Sequence, residues 1–140
     1  MKKHNANAVW NGSVKEGEGK ITTRSKVLDN AKYSFNTRFG DAAGTNPDEL
    51  LAASHAGCFA MATSLMLGQE GFTPESLDAN AEVTMDPSQL KIVSSHLTLK
   101  AKVPNISQEK FMEIVNNAKE NCPISKVMNC EITLDATLEQ

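Results

Sequence analysis

Apolar positions recur along this chain at two rhythms, broken once by a stretch with no clean rhythm at all. Between residues 6 and 39, three runs around Val9-Trp10, around Ile21 to Val27 and from Tyr33 to Phe39 are separated by Gly12 and by Gly17-Glu18-Gly19. This predicts an antiparallel meander of three strands. In the third run Tyr33, Phe35, Thr37 and Phe39 fall on one side and Ser34, Asn36 and Arg38 on the other, because side chains alternate across a strand. Arg38 is then expected to end a strand on its polar face. Residues 79–86 and 90–103 give two further strands, split by Asp86-Pro87-Ser88, and a hairpin is the simplest connection. The last run alternates again, with Cys130, Ile132, Leu134, Ala136 and Leu138 on its apolar face.

Helical spacing appears elsewhere. Ser107 is placed to cap a helix carrying Phe111, Ile114, Val115 and Ala118 on one face and ending near Glu120-Asn121. Cys122-Pro123 starts a short additional helix, with Pro123 suited to its first position and Cys122 at the cap. The unpatterned stretch lies between Gly44 and Gly68. Asn46 caps its start, Pro47 supplies a helical φ, and Asp48 and Glu49 set negative charge against the positive end of the helix dipole. From Leu50 to Leu67 there is no Lys, Arg, Asp or Glu, and apolar residues occur on nearly every side. Gly68 and Gly71 close it. Such a helix needs cover all round, one small sheet covers one side, and a second subunit would supply the rest, so a homodimer with this helix near its centre is expected.

Composition narrows the possibilities. At 140 residues, with no repeat or linker, the chain is expected to form one domain, residues 1–140, of α+β class. A net charge of −3 and no basic run longer than Lys2-Lys3 argue against nucleic acid. No secretory signal is read in residues 1–11, and Ser54, His55, Gly57, Thr63 and Ser64 interrupt the one stretch that tempts a membrane reading. A cytoplasmic protein is expected. Three cysteines, an odd number, do not describe a disulfide framework.

The candidate chemistry is therefore thiol chemistry. A free thiol is only a few per cent ionised at neutral pH and less when buried, so Cys58 needs a cation or donor, for which His55 and Arg38 are candidates. His55 shares a helix face with Cys58 at i, i+3, although a lone His in an apolar helix is more often a satisfied packing residue. Cys122 at a helix start is either a redox partner favoured by unsatisfied backbone N–H groups or simply a cap. Cys130 reads as core. Glu49 suits a capping box with Asn46 and, lying about 13.5 Å along the axis from Cys58, serves such a site only from a partner subunit or through an intermediary such as Arg38. A metal site built from His55, Cys58, Cys122 and Cys130 lacks paired ligand spacing, and His4 and His96 are isolated, so no metal is expected.

Arg38, the string GTNPDELLAASHAGCF and the string CPISKV together resemble the OsmC/Ohr family of organic hydroperoxide reductases, its osmotically inducible protein C branch more than its organic hydroperoxide resistance branch. The likeness runs from Phe35–Phe39 through HAGC and LGQEGFTPESLD to the ITLDATL ending, essentially the whole chain. The resemblance implies an intertwined α+β homodimer with antiparallel and mixed sheets wrapped around two long central helices. It implies a thiol-dependent peroxidase without metal, haem or flavin, in which Cys58 is the peroxidatic cysteine, Cys122 the resolving cysteine, Arg38 the active-site arginine and Glu49 its glutamate. Cys130 has no counterpart in the family pattern. Dithiols, lipoylated proteins among them, are the implied reductants. Phe39, Phe59 and Met61 are expected to bury the alkyl part of an organic hydroperoxide. Two other readings share these residues: a redox sensor that forms the same disulfide without sustained turnover, and a dimeric binding protein whose thiols merely pack.

Overall fold

The computed structural model describes residues 1–139, arranged as two compact units that divide at Leu50. In the first unit, β1 (Ala6–Asn11), β2 (Glu18–Thr23) and β3 (Ala31–Tyr33) form an antiparallel sheet in that order. Gly19 stands opposite both Trp10 and Tyr33 in the register. A Cβ there would collide with the Tyr33 ring, so its absence lets the two rings meet across β2 with centroids 5.4 Å apart.

The third predicted strand is corrected. It stops at Tyr33, and Phe35–Phe39 forms a short helix, α1. Ser34 Oγ accepts from the Thr37 N–H at 3.2 Å while Thr37 Oγ1 accepts from the Ser34 N–H at 2.7 Å, a reciprocal cap that outcompetes a strand ladder. Phe35 and Phe39, which fit a two-residue repeat, equally fit i, i+4, and their rings meet at 4.8 Å. Arg38 therefore sits in a helix rather than on a strand.

The long helix α2 (Pro47–Gln69) begins as expected, with Asn46 Oδ1 accepting from the Glu49 N–H at 2.8 Å. It ends at Gln69, one residue past Gly68, which stays helical. Gly71, at φ +86°, takes the left-handed position, the Phe72 N–H reaches Leu67 O and the Gly71 N–H reaches Gly68 O.

In the second unit, β4 (Ser76–Asp86) and β5 (Lys91–Lys102) form the expected hairpin, with a register shift at Thr84/Met85. α3 (Gln108–Asn121) and α4 (Pro123–Val127) then lead to β6 (Glu131–Glu139), which pairs parallel with β5. A parallel partner demands a crossover connection, and the two helices provide it. The sheet is thus mixed, in the order β4-β5-β6. Leu97, Leu99 and Ala101 of β5 and Phe111, Ile114, Val115 and Ala118 of α3 form the core with Phe59 and Leu67 of α2. Among the described residues the chain is an α+β protein of two three-stranded sheets and four helices.

All-round cover of α2 does not occur within one chain. Its fully buried residues are His55, Phe59, Thr63 and Leu67, one stripe at four-residue steps, while Met61 and Leu65 are 77% and 62% exposed. By length and composition α2 is apolar enough to cross a membrane, yet that stripe belongs to the core of the second unit. Truncating the fully buried Phe111 to Ala should cost about 3–5 kcal/mol. A urea titration of the variant checks this, and an unchanged midpoint would mean the α3–sheet core is not the stabilising one.

Candidate active site

The two cysteines separated by 64 positions in sequence come together in the second unit. Cys58, in the middle of α2, is half-buried, and Cys122 is fully buried at the junction of α3 and α4. Neither is bonded to the other. Burial pushes the Cys58 thiol up, the backbone N–H of Ile124 pulls it down, and the neighbouring sulfur of Cys122 pushes it up again.

These contacts follow from how α4 begins. The first N–H groups of a helix have no partner inside it. Pro123, at the first position, has none to offer; the Ile124 N–H serves Cys58, and the Ser125 N–H reaches Cys122 Sγ at 3.3 Å. One turn of backbone therefore supplies a donor to each sulfur. The capping reading of Cys122 holds, and its sulfur also lies beside that of Cys58.

His55 is fully buried but turns to two serines. Its Nδ1 lies 2.7 Å from Ser95 Oγ and its Nε2 2.8 Å from Ser125 Oγ, and Ser125 Oγ is itself 3.1 Å from Cys122 Sγ. His55 is thus the satisfied buried histidine that its apolar setting favours, and its hydrogen-bonded line leads to Cys122 rather than to the candidate partner Cys58. Burial alone lowers the imidazole pKa, so the ring is neutral at physiological pH. Ser95 and Ser125 escaped the sequence reading, although each left a trace: Ser95 occupies the apolar parity of β5, two residues before Leu97, and Ser125 lies three after a capping Cys.

In the first unit, Arg38 makes a two-pronged ion pair with Asp48, Nε to Oδ2 at 3.0 Å and Nη2 to Oδ1 at 2.8 Å. The hydrogen bond to Asp48 raises the guanidinium pKa. Within this chain the guanidinium meets Asp48 rather than Glu49, because neighbours on a helix point about 100° apart and Asp48 faces α1. Glu49 Oε2 instead accepts from the Thr45 hydroxyl at 2.8 Å, leaving the capping box half made. Arg38 and Phe39 line a hollow of about 230 Å³ with Trp10, Tyr33 and Phe35. Phe59, expected against substrate, is fully buried in the core, on the same stripe as His55 four residues earlier. Met61 is exposed on the other side of α2, and Cys130, expected in the core, is half-buried just ahead of β6 beside Ile92 and Met128.

Residues 40–137 match the family model described as OsmC-like protein. The chain belongs to the OsmC-like family. It is 46% identical over 134 residues to the peroxiredoxin OsmC of Escherichia coli K12, covering 94% of each chain. It is 30% identical over 126 residues to the organic hydroperoxide resistance protein of Xanthomonas axonopodis pv. citri, covering 86% of each. The fold matches the crystal structure of an OsmC-like protein from Mycoplasma pneumoniae with a TM-score of 0.76, covering 99% of each chain at 19% identity. In this OsmC-like chain, three or more His, Cys, Asp or Glu side chains do not gather in a metal-holding group among the described residues.

Because the folded His55 binds a proton only below the ordinary value of 6.5, the unfolded state binds more protons as pH falls through that value. Stability conferred by a neutral His55 is therefore present above pH 6.5 and lost on acidification. Between about pH 7.5 and 5, the urea midpoint of the parent should fall more steeply than that of His55→Gln; parallel slopes would refute the assignment.

Proposed function

We propose that this OsmC-like protein is a cysteine-based peroxidase that reduces organic hydroperoxides to alcohols, with Cys58 attacking and Cys122 resolving. The observation that carries this reading is the adjacency of the two sulfurs, each facing one backbone N–H of α4. The names of the relatives, peroxiredoxin OsmC and organic hydroperoxide resistance protein, support it.

In the first step the Cys58 thiolate attacks one peroxide oxygen; the O–O bond breaks, and the departing alkoxide takes a proton to become the alcohol. The sulfur is left as a sulfenic acid, SOH. Cys122 then displaces its hydroxyl as water, forming the Cys58–Cys122 disulfide and sparing Cys58 the irreversible sulfinic state. A dithiol restores both thiols by two exchanges, and a lipoylated protein has the chemistry to do so. The protein's own chemistry requires no further cofactor.

Arg38 is the group we assign to favour the thiolate and orient the peroxide, since its charge is fixed by the pair with Asp48. Glu49 stays in the assignment as a second carboxylate at the same helix start, and Phe39 and Met61 as apolar surface for the alkyl group. A homodimer belongs to the same reading. It is supported by the bare Met61–Leu65 side of α2, and it makes two such helices the centre of one assembly with sheets from both chains wrapped around them, residues 1–140 serving as one domain. A cytoplasmic setting fits, because recycling by a dithiol needs a reducing compartment.

Cys58→Ser should abolish consumption of cumene hydroperoxide, whereas Cys122→Ser should allow one turnover and then accumulate sulfinic acid at Cys58, seen by intact-mass measurement. Unlinked thiols in the parent after peroxide treatment would refute the reading, and a single stoichiometric oxidation with no turnover on added dithiol would assign a sensor instead. For the assembly, sedimentation should give twice the chain mass for the parent and the monomer for the double variant Met61→Glu, Leu65→Glu.

A further inference from the structure

The proposed chemistry uses Cys122 as a nucleophile in its second step, and a nucleophilic thiol must first give up its proton. Cys122 is fully buried, so water is not at hand to receive it. Behind it stands a continuous line of polar groups: Cys122 Sγ to Ser125 Oγ at 3.1 Å, Ser125 Oγ to His55 Nε2 at 2.8 Å, and His55 Nδ1 to Ser95 Oγ at 2.7 Å. Ser125, Ser95 and His55 are all buried, and they come from α4, β5 and α2. Packing alone does not call for a histidine bonded at both nitrogens in the middle of an apolar helix.

We propose that His55, acting through the Ser125 hydroxyl, is the base for the Cys122 thiol in the condensation step, with Ser95 fixing the orientation of the ring. This rests on the peroxidase reading above. A neutral imidazole has one N–H and one acceptor nitrogen. With the proton on Nδ1 donated to Ser95 Oγ, Nε2 accepts the Ser125 hydroxyl, and the Ser125 oxygen accepts the Cys122 S–H. Ionisation then moves two protons one bond each, from Cys122 to Ser125 and from Ser125 to His55. The imidazolium formed donates to both serines, and Ser125 donates to the thiolate, so every partner is satisfied in both states.

The thiolate attacks the Cys58 sulfenic sulfur. The S–S bond forms as the S–O bond breaks, Cys122 is formally oxidised and Cys58 reduced by one electron each, and the hydroxyl leaves as water with one proton. His55 releases its extra proton once the thiolate that stabilised it has become part of the disulfide. His55 and Ser125 are positioning residues with respect to the peroxide, since neither touches it in this scheme.

The test separates the two steps in one experiment. After one equivalent of cumene hydroperoxide, rapid quenching with dimedone reads sulfenic acid at Cys58 and alkylation of free thiols reads the disulfide. In His55→Gln and Ser125→Ala, disulfide formation should slow at least tenfold more than sulfenic acid formation, with sulfinic acid increasing at Cys58. Ser125→Thr, which keeps a hydroxyl, should restore the second step to within about threefold of the parent. Should His55→Gln fail to fold, the Ser125→Ala and Ser125→Thr pair decides alone. Equal slowing of both steps, no slowing, or no rescue by Thr in a folded variant would overturn the relay while leaving the peroxidase reading intact. Absence of sulfenic acid and disulfide in the parent would bring down both.

Discussion

A sulfur withdrawn from water loses the solvent that would carry its charge, and in this fold the replacement comes from one turn of backbone. Pro123 silences the first position of α4, and the next two amides go to Cys58 and Cys122 in turn. Backbone donors suit this task because they are held by the helix and need no reorganisation as charge develops. They also hold α4 in place: rotating it would strand the buried Ser125 N–H at a cost of about 1–3 kcal/mol. The site and the local stability of the α3–α4 junction are therefore one property.

The second unit carries its polar content in the same economical way. A buried histidine is expensive unless both ring nitrogens find partners, and here each finds a serine hydroxyl. No buried side-chain nitrogen or oxygen lacks a partner among the described residues. The core around it is ordinary, with leucines of β5 facing aromatic and aliphatic residues of α3, so a single polar line through it is singled out by contrast.

Helix starts are legible from a few residues, because capping is local: Asn46-Pro47, Ser107 and Cys122-Pro123 each open the helix that the spacing predicts. The hairpin β4–β5 and the apolar face of α3 are legible for the same reason, being periodic over ten residues or more. Phe35 to Phe39 is not, since its aromatics satisfy both rhythms and the Ser34–Thr37 exchange decides between them. Among the candidate residues, the cysteines and Arg38 are visible as residue types, but which of two adjacent carboxylates meets the guanidinium is set by about a 100° step around α2. The serines are harder still. Their part depends on β5, α2 and α4 meeting, which no local pattern encodes.

That meeting decides when the buried polar line exists at all. Ser125 is 70 positions from His55 and Ser95 is 40, and no two of the three lie on the same element. Contacts this distant in sequence form only after the intervening loops have closed. A chain in which β5, α2 and α4 have not yet met has no hydrogen-bonded line behind Cys122, so that network belongs to the assembled second unit and to no local segment of it.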